Sequence, residues 1–363
     1  LDCFAGVGGF ALALQQSIGK DNIEHIGFSE IDKFASSVYE NHFPWTKNYW
    51  DITKIDIENL PELDLLTGGF PCTDVSVAWK QNLDWWRTVL VEYLLQILEK
   101  KQPKYFVFEN VKGLMSKKFN TFFNSIYDRM VWAWYTVDCK VLNTKDFWLP
   151  QNRERVFIVW QLWDNAFNFP QWQELTTFLK DILEEEVDTK YNLTEKNLQH
   201  LQREFWSKGK DVSWQDIINT LTASMWTGGW NVPYLYNHYN KRLMRDISWT
   251  LSTSMWFTAK QWLTVIQQLN NPKHSINRIY WTDGISPSLN TMQWWNRQPK
   301  VFWEWIFRKI TPVECARLQW FPDNWNESVS NSQRYKQMWN AISVPVVKSI
   351  FDNLFLNANI FKR

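Results

Sequence analysis

Cysteine is scarce in this 363-residue chain, with only Cys3, Cys72, Cys139 and Cys315, none in CxxC spacing. That excludes a disulfide framework and leaves zinc no thiolate pair. The five histidines include no HxxxH pair, so no metal site is expected. No apolar run approaches the ~20 residues of a membrane span, which argues against an integral membrane protein. No charged-then-apolar leader is visible, so the expected location is the cytoplasm. The chain opens at Leu1, without Met and inside a motif described below, so a few further N-terminal residues are expected. Glycine is the most informative shortage. Twelve glycines stand against 26 tryptophans, whereas glycine averages ~7% of residues and tryptophan is among the rarest.

What is present suits a folded chain of one large domain or, better, two: 45% hydrophobic and 21% charged residues. The net charge of +1 hides an asymmetry. Residues 241–310 hold ten Lys+Arg against three Asp+Glu, a local +7, so the remainder sums to −6. A basic segment on a mildly acidic body suits a polyanion-binding face, although a solvated surface accounts for the charge equally well.

Over the first ~160 residues, apolar runs at 23–29, 63–66, 105–109 and 156–160 read as strands. Amphipathic stretches at 34–41, 88–100 and 119–132 read as helices. Alternation of this kind predicts an α/β domain with a parallel sheet, helices on both faces, and a site at the carboxyl ends of the strands. From residue 161 to about 308 the pattern gives way to charge runs and short segments. Three similar Thr/Ser-rich stretches (220–225, 250–255 and 288–292) read there as short strands. A helical pattern resumes from Ile310. The expected domains are therefore 1–160, 161–308 and a returning segment, 309–363.

Several short motifs lie at predicted strand ends. Phe4-Ala5-Gly6-Val7-Gly8 is a glycine turn between a strand and a helix, where backbone N–H groups can approach a ligand; a tight structural turn reads the same way. Glu30, at the end of the next strand, is suited to ribose hydroxyls. Asp51-Ile52 is suited to edging an adenine on which Phe4 could stack, and Asp64 follows. Gly68-Gly69-Phe70-Pro71-Cys72 holds a cysteine in a constrained loop, the placement of a nucleophile or of a buried, inert thiol. Glu109-Asn110-Val111 brings a carboxylate to another strand end, which read singly is also a helix cap. Gln151-Asn152-Arg153-Glu154-Arg155 offers two guanidinium groups, which read singly are also surface ion-pair partners.

Taken in order, these motifs closely resemble the cytosine-5 DNA methyltransferases, prokaryotic and of the restriction-modification type. The resemblance continues through Thr311-Pro312-Val313-Glu314-Cys315-Ala316-Arg317-Leu318-Gln319, Phe321-Pro322-Asp323 and Asn340-Ala341, and so covers essentially the whole chain. It implies a Rossmann-like S-adenosylmethionine-dependent methyltransferase sheet with a smaller, mostly irregular and β target-recognition domain. The cofactor implied is S-adenosylmethionine, against Phe4, Ala5, Gly6, Gly8, Glu30, Asp51, Ile52, Pro71, Asn340 and Ala341. The catalytic set implied is Cys72, Glu109, Arg153 and Arg155, with Arg153 orienting Cys72 and a nearby phosphate. Region 161–308 falls where the family reads its target, and Arg297 and Gln298 stand as groove contacts to duplex DNA. A cognate restriction endonuclease is the implied partner, and a monomer the implied state. Two other functions remain in view: a tRNA cytosine-5 methyltransferase, and a DNA-binding relative without turnover.

The chain departs from the family at glycine positions. Trp50, Trp79, Trp134, Trp148, Trp160, Trp320 and Trp339 stand where the pattern has glycine, and Trp226, Trp230, Trp294 and Trp295 look the same. Drift would scatter many residue types over such positions, whereas here there is one. The pattern fits a gene whose UGA codons mean glycine, read with a code in which UGA means tryptophan. A degenerate DNA-binding remnant or deliberate substitution are the other readings.

Overall fold

The computed structural model describes residues 1–71, 85–162, 167–193, 265–268, 278–280, 282, 284–289, 299–303 and 306–356. Cys72, Arg297 and Gln298 lie outside them, as do Trp79, Trp226, Trp230, Trp294 and Trp295. The chain divides into two compact units, Leu1–Leu149 with Arg153–Glu174 and Cys315–Arg363, and Pro150–Asn152 with Leu175–Glu314.

The first unit is built on a six-stranded sheet of β1 (Asp2–Cys3), β2 (Phe28–Ser29), β3 (Leu65–Gly68), β4 (Tyr105–Val111), β5 (Tyr135–Asn143) and β7 (Glu154–Leu162). The order is β2-β1-β3-β4-β7-β5. Its helices include α1 (Gly9–Ile18), α2 (Lys33–His42), α3 (Trp85–Lys101) and α4 (Asn120–Trp132). The alternation predicted a parallel sheet, and the observed sheet is mixed. β7 runs antiparallel to both β4 and β5. Only ten residues join β5 to β7, fewer than the dozen or more that a parallel crossover needs. A hairpin-like return is the geometry that remains.

Glycine decides how β1 passes into α1. Gly8 has φ +87° and is the residue before the helix, and a Cβ there would stand 2.8 Å from a ring carbon of Phe43. The core beneath gathers Leu66, Leu94, Phe106, Phe108 and Trp160, all fully buried, with the Phe106 and Phe108 rings stacked at 4.6 Å. Each such side chain is worth roughly 1.5–3 kcal/mol of burial.

After Cys315 the chain packs in this unit through α6 (Asn331–Asn340) and α7 (Val344–Phe351); the residues flanking α7 hydrogen-bond to α1 (Ser17–Asp352, 2.6 Å) and to the residue after β5 (Thr144–Ser343, 2.7 Å). Before them stands the short α5 (Pro312–Arg317).

The second unit contains a four-stranded sheet of β8 (Val265–Gln268), β9 (Arg278–Tyr280), β11 (Lys300–Trp303) and β12 (Ile306–Lys309), and a two-stranded pairing of β6 (Gln151–Asn152) with β10 (Ser286–Pro287). A buried ion pair anchors it. Both Arg308 Nη atoms donate to Glu314, which also accepts the Thr311 and Glu184 N–H groups. Lys300, two residues after the expected groove contact Gln298, is 1% exposed. Among the described residues, no helix is long and apolar enough to cross a membrane.

Candidate active site

The first unit carries a cleft of about 610 Å³ at the carboxyl ends of β1, β2, β3 and β4. Eight of the residues singled out from the sequence line it: Phe4, Gly6, Glu30, Pro71, Glu109, Arg153, Arg155 and Asn340. They come from positions up to 336 residues apart: parallel β1 to β4 end on this edge, antiparallel β7 starts there with Arg153 and Arg155, and α6 brings in Asn340.

Glu30 ends β2 with its carboxylate turned back on the chain. It accepts hydrogen bonds from the Gly6 N–H (2.8 Å) and the Asp32 N–H (2.7 Å). Burial pushes its carboxyl above the ordinary range, while the N–H groups of Asp32 and Gly6 pull the other way. At Gly6 the backbone has φ +55° and nothing lies within 4 Å of where a Cβ would stand. That leaves open space at the floor of the cleft where the backbone can meet a ligand.

Glu109 and Arg155 meet across the β4–β7 ladder. Arg155 Nε lies 2.9 Å from Glu109 Oε1, with both side chains mostly buried. Beside them Arg153 is 2% exposed. Its Nη2 donates to the carbonyls of Trp339 (3.0 Å) and Ala341 (2.7 Å), on either side of Asn340. Burial and the Arg155 charge pull this guanidinium down to about 9, and Glu109 pulls it up. The sequence reading gave Arg153 a phosphate and Cys72 to orient. Among the described residues its two carbonyl partners tie it to the Asn340 segment of the cleft wall, and Cys72 lies outside those residues.

Five other expected cofactor residues do not line the cleft. Ile52 is buried in the core, and Asp51 caps the turn that follows it, accepting from Thr53 N–H at 3.0 Å and Thr53 Oγ1 at 2.8 Å. The Ala5 N–H is bonded to the Ser29 carbonyl (3.2 Å), Gly8 packs under Tyr39 and Phe43, and the Ala341 carbonyl is taken by Arg153.

Sequence reasoning passed over Asp32, Lys336 and Gln337, which line the same cleft. Asp32 caps α2 through Phe34 and Ala35 N–H groups and pairs with Lys336 at 2.5 Å. The Gln337 Nε2 is buried with no hydrogen-bond partner among the described residues, although its Oε1 accepts from Asn326. Spacing held a usable signal: 336 and 337 precede Asn340 by four and three residues, which puts them on one helical face. Asn110 was noted only as part of a motif. Its Nδ2 donates to the Phe70 carbonyl (2.9 Å), fixing the residue before Pro71 against the end of β4.

Comparison with known proteins supplies the family. The profile of the C-5 cytosine-specific DNA methylases matches residues 1–356. The chain belongs to that family. It is 31% identical to the orphan methyltransferase M.SPRI of Bacillus phage SPR, over 98% of this chain and 96% of the relative. It is likewise 31% identical to the type II methyltransferase M.NlaX of Neisseria lactamica, over 98% and 95%. Among solved structures, the Entamoeba histolytica methyltransferase EhMeth matches with a TM-score of 0.64 at 15% identity, covering 98% of this chain and 97% of that one. The S. pombe Dnmt2 methyltransferase matches at 0.62 and 17%, covering 99% and 98%. The enzyme is thus a DNA cytosine-5 methyltransferase with S-adenosylmethionine as its methyl donor, on a methyltransferase α/β fold.

The cleft suits that donor. Its volume falls within the ~300–1,000 Å³ of small-molecule sites. It offers an aromatic face at Phe4, a carboxylate at Glu30 and an open glycine floor, and the partnerless Gln337 amide nitrogen calls for an acceptor.

Proposed function

We propose that the enzyme methylates carbon 5 of a cytosine flipped out of a specific duplex DNA sequence, through a covalent adduct on Cys72. The observation that carries this reading is the Glu109–Arg155 pair at 2.9 Å in the same cleft as Phe4, Gly6, Glu30 and Pro71, the residue before Cys72.

Carbon 5 of cytosine is a poor nucleophile. Addition of the Cys72 thiolate to carbon 6 moves the ring electrons toward nitrogen 3 and makes carbon 5 enamine-like. Glu109 hydrogen-bonds or protonates nitrogen 3, and Arg155, tied to Glu109, takes the carbonyl oxygen. S-adenosylmethionine, when bound, supplies an electrophilic methyl group on a sulfonium. Once carbon 5 carries the methyl group, a base removes its proton and the electron pair expels the thiolate, restoring the aromatic ring. Carbon 6 is inaccessible in stacked DNA, so the base must leave the helix.

Phe4, Gly6, Glu30 and Asn340 hold the donor, with Ala5, Gly8, Asp51, Ile52, Pro71 and Ala341 supporting that site through backbone and packing. Region 161–308 selects the sequence, with Arg297 and Gln298 as groove contacts. A cognate endonuclease as partner and a monomeric, cytoplasmic enzyme complete the reading.

Duplex DNA in which cytosine is replaced by 5-fluorocytosine tests the proposal, because fluorine at carbon 5 cannot leave as the proton does. A denaturation-resistant protein–DNA adduct is expected with S-adenosylmethionine, and none with Cys72→Ser. An adduct that survives Cys72→Ser, or methylation of tRNA but not of duplex DNA, overturns the reading.

A further inference from the structure

Seven non-glycine residues among those described have a left-handed backbone, and five of them are tryptophan: Trp45 (φ 74°), Trp50 (58°), Trp134 (71°), Trp148 (64°) and Trp320 (65°). Tryptophan is 26 of 363 residues, so composition alone would put it at fewer than one of seven such positions. A bulky side chain is a genuine outlier at positive φ, where glycine is at ease.

Each site where the local hydrogen bonds are known is one whose geometry calls for glycine. Trp320 follows α5 with its N–H on the Arg317 carbonyl and the next N–H, of Phe321, on the Ala316 carbonyl, both at 3.0 Å. That is the Schellman pattern, and Trp320 fills the position that glycine favours. Trp134 stands at the same position after α4, its N–H on the Val131 carbonyl (3.0 Å). Trp45 follows Pro44 in a turn closed by Thr46 N–H on the Phe43 carbonyl (3.3 Å); proline then positive φ is the type II pattern, whose third residue is glycine. The backbone of Trp50 is held at both ends, its N–H by Asn48 Oδ1 and its carbonyl by Ser29 Oγ, each at 2.7 Å.

All five indoles are exposed, from 39% at Trp148 to 101% at Trp45, so none gains core burial in return for this strain. Trp325 shows what an accommodated tryptophan looks like. It is buried, its Nε1 donates to the Val7 carbonyl (2.9 Å), and its ring stacks on His42 at 3.6 Å and 3°.

We propose that positions 45, 50, 134, 148 and 320 are glycine in the protein its source cell makes, their codons being UGA decoded as glycine. Backbone conformation both narrows and extends the sequence-derived set. It adds Trp45, and it does not select Trp160 or Trp339, which lack a left-handed backbone.

Two measurements test this. The first reads the five codons and that of Trp325 in the source DNA, with peptide masses of the endogenous protein. UGA and glycine masses at all five, with UGG at Trp325, are expected, and UGG or a tryptophan mass at the five overturns the proposal. The second compares thermal unfolding of the chain as given, a five-fold Trp→Gly variant at these positions, and a control, Trp132→Gly with Trp172→Gly. The control tryptophans are equally exposed but outside the left-handed set. Relief of five strained residues should raise the midpoint by on the order of 10 °C, while the control stays level or falls. If the chain as given aggregates and only the five-fold variant folds, that too supports the proposal. A five-fold variant that melts no higher than the control overturns it.

Discussion

Replacing Arg153 by methionine sets two large terms against each other. The guanidinium is deeply buried, and its fall from 12.5 to about 9 is equivalent to roughly 5 kcal/mol against the charged form at 1.36 kcal/mol per pH unit. Methionine removes that cost while keeping most of the volume. It also strips the donor from the Trp339 and Ala341 carbonyls, bonded at 3.0 and 2.7 Å, at about 1–3 kcal/mol for each acceptor left unsatisfied. The terms largely cancel, so stability should change by no more than about 3 kcal/mol. Unfolding entropy near 2.1 cal/mol/K per residue turns that into a midpoint shift of no more than ~4 °C. Cofactor binding has no such cancellation. Asn340 lies between the two released carbonyls, and a segment free to shift should weaken S-adenosylmethionine binding at least ~10-fold, equivalent to about 1.4 kcal/mol. Differential scanning fluorimetry and titration calorimetry on Arg153→Met read the two quantities separately. Unchanged cofactor affinity in a folded variant refutes the positioning role, and a midpoint loss beyond ~8 °C refutes the cancellation.

Two further outcomes follow from the same geometry. Glu109→Gln should lower the single-turnover methylation rate by ~10²–10⁴-fold while cofactor affinity holds, because the amide keeps a hydrogen bond to Arg155 but brings no acidic proton; a rate within tenfold of the parent would remove Glu109 as the proton donor. Lys300 gives a pH signature. Burial, then the nearby Lys309 charge, lowers its ammonium to about 8 from 10.5. Between those values the unfolded chain holds a proton that the native chain has shed, so stability rises with pH across that window, by about 3 kcal/mol for this group. Urea unfolding at pH 7 and pH 10 should show the rise and Lys300→Met should flatten it; a parent that loses stability relative to Lys300→Met over this range contradicts the assignment.

Several of the cleft residues legible in the sequence share one property: each ends or follows a strand whose own apolar run announces it. Glu30, Glu109 and Pro71 follow such runs, and α2, α3 and α4 lie within a few residues of their amphipathic patterns. The antiparallel course of β7 was not legible, because an apolar run has no direction and only the ten-residue link from β5 decides it. Nor was Arg153's hold on residues 339 and 341, since nothing local to Arg153 marks partners 186 and 188 positions away.

Tryptophan is the case where sequence and structure had to be read together. Motif position alone gathered Trp160 and Trp339 with Trp50, Trp134, Trp148 and Trp320, and passed over Trp45, whose turn lies outside any motif. Backbone angle sorts the same residues by mechanism. At Trp320 and Trp134 a helix ends in a left-handed residue, and at Trp45 a turn does. These are positions where the physical requirement is the absence of a Cβ, whatever any relative carries. Trp160 answers to a different requirement. It fills core volume against Tyr135 and Phe106, with its Nε1 buried and partnerless among the described residues. Glycine there would relieve the orphaned N–H but leave a cavity, so the two effects oppose each other, and Trp160→Gly should not share the stabilisation expected of the other five.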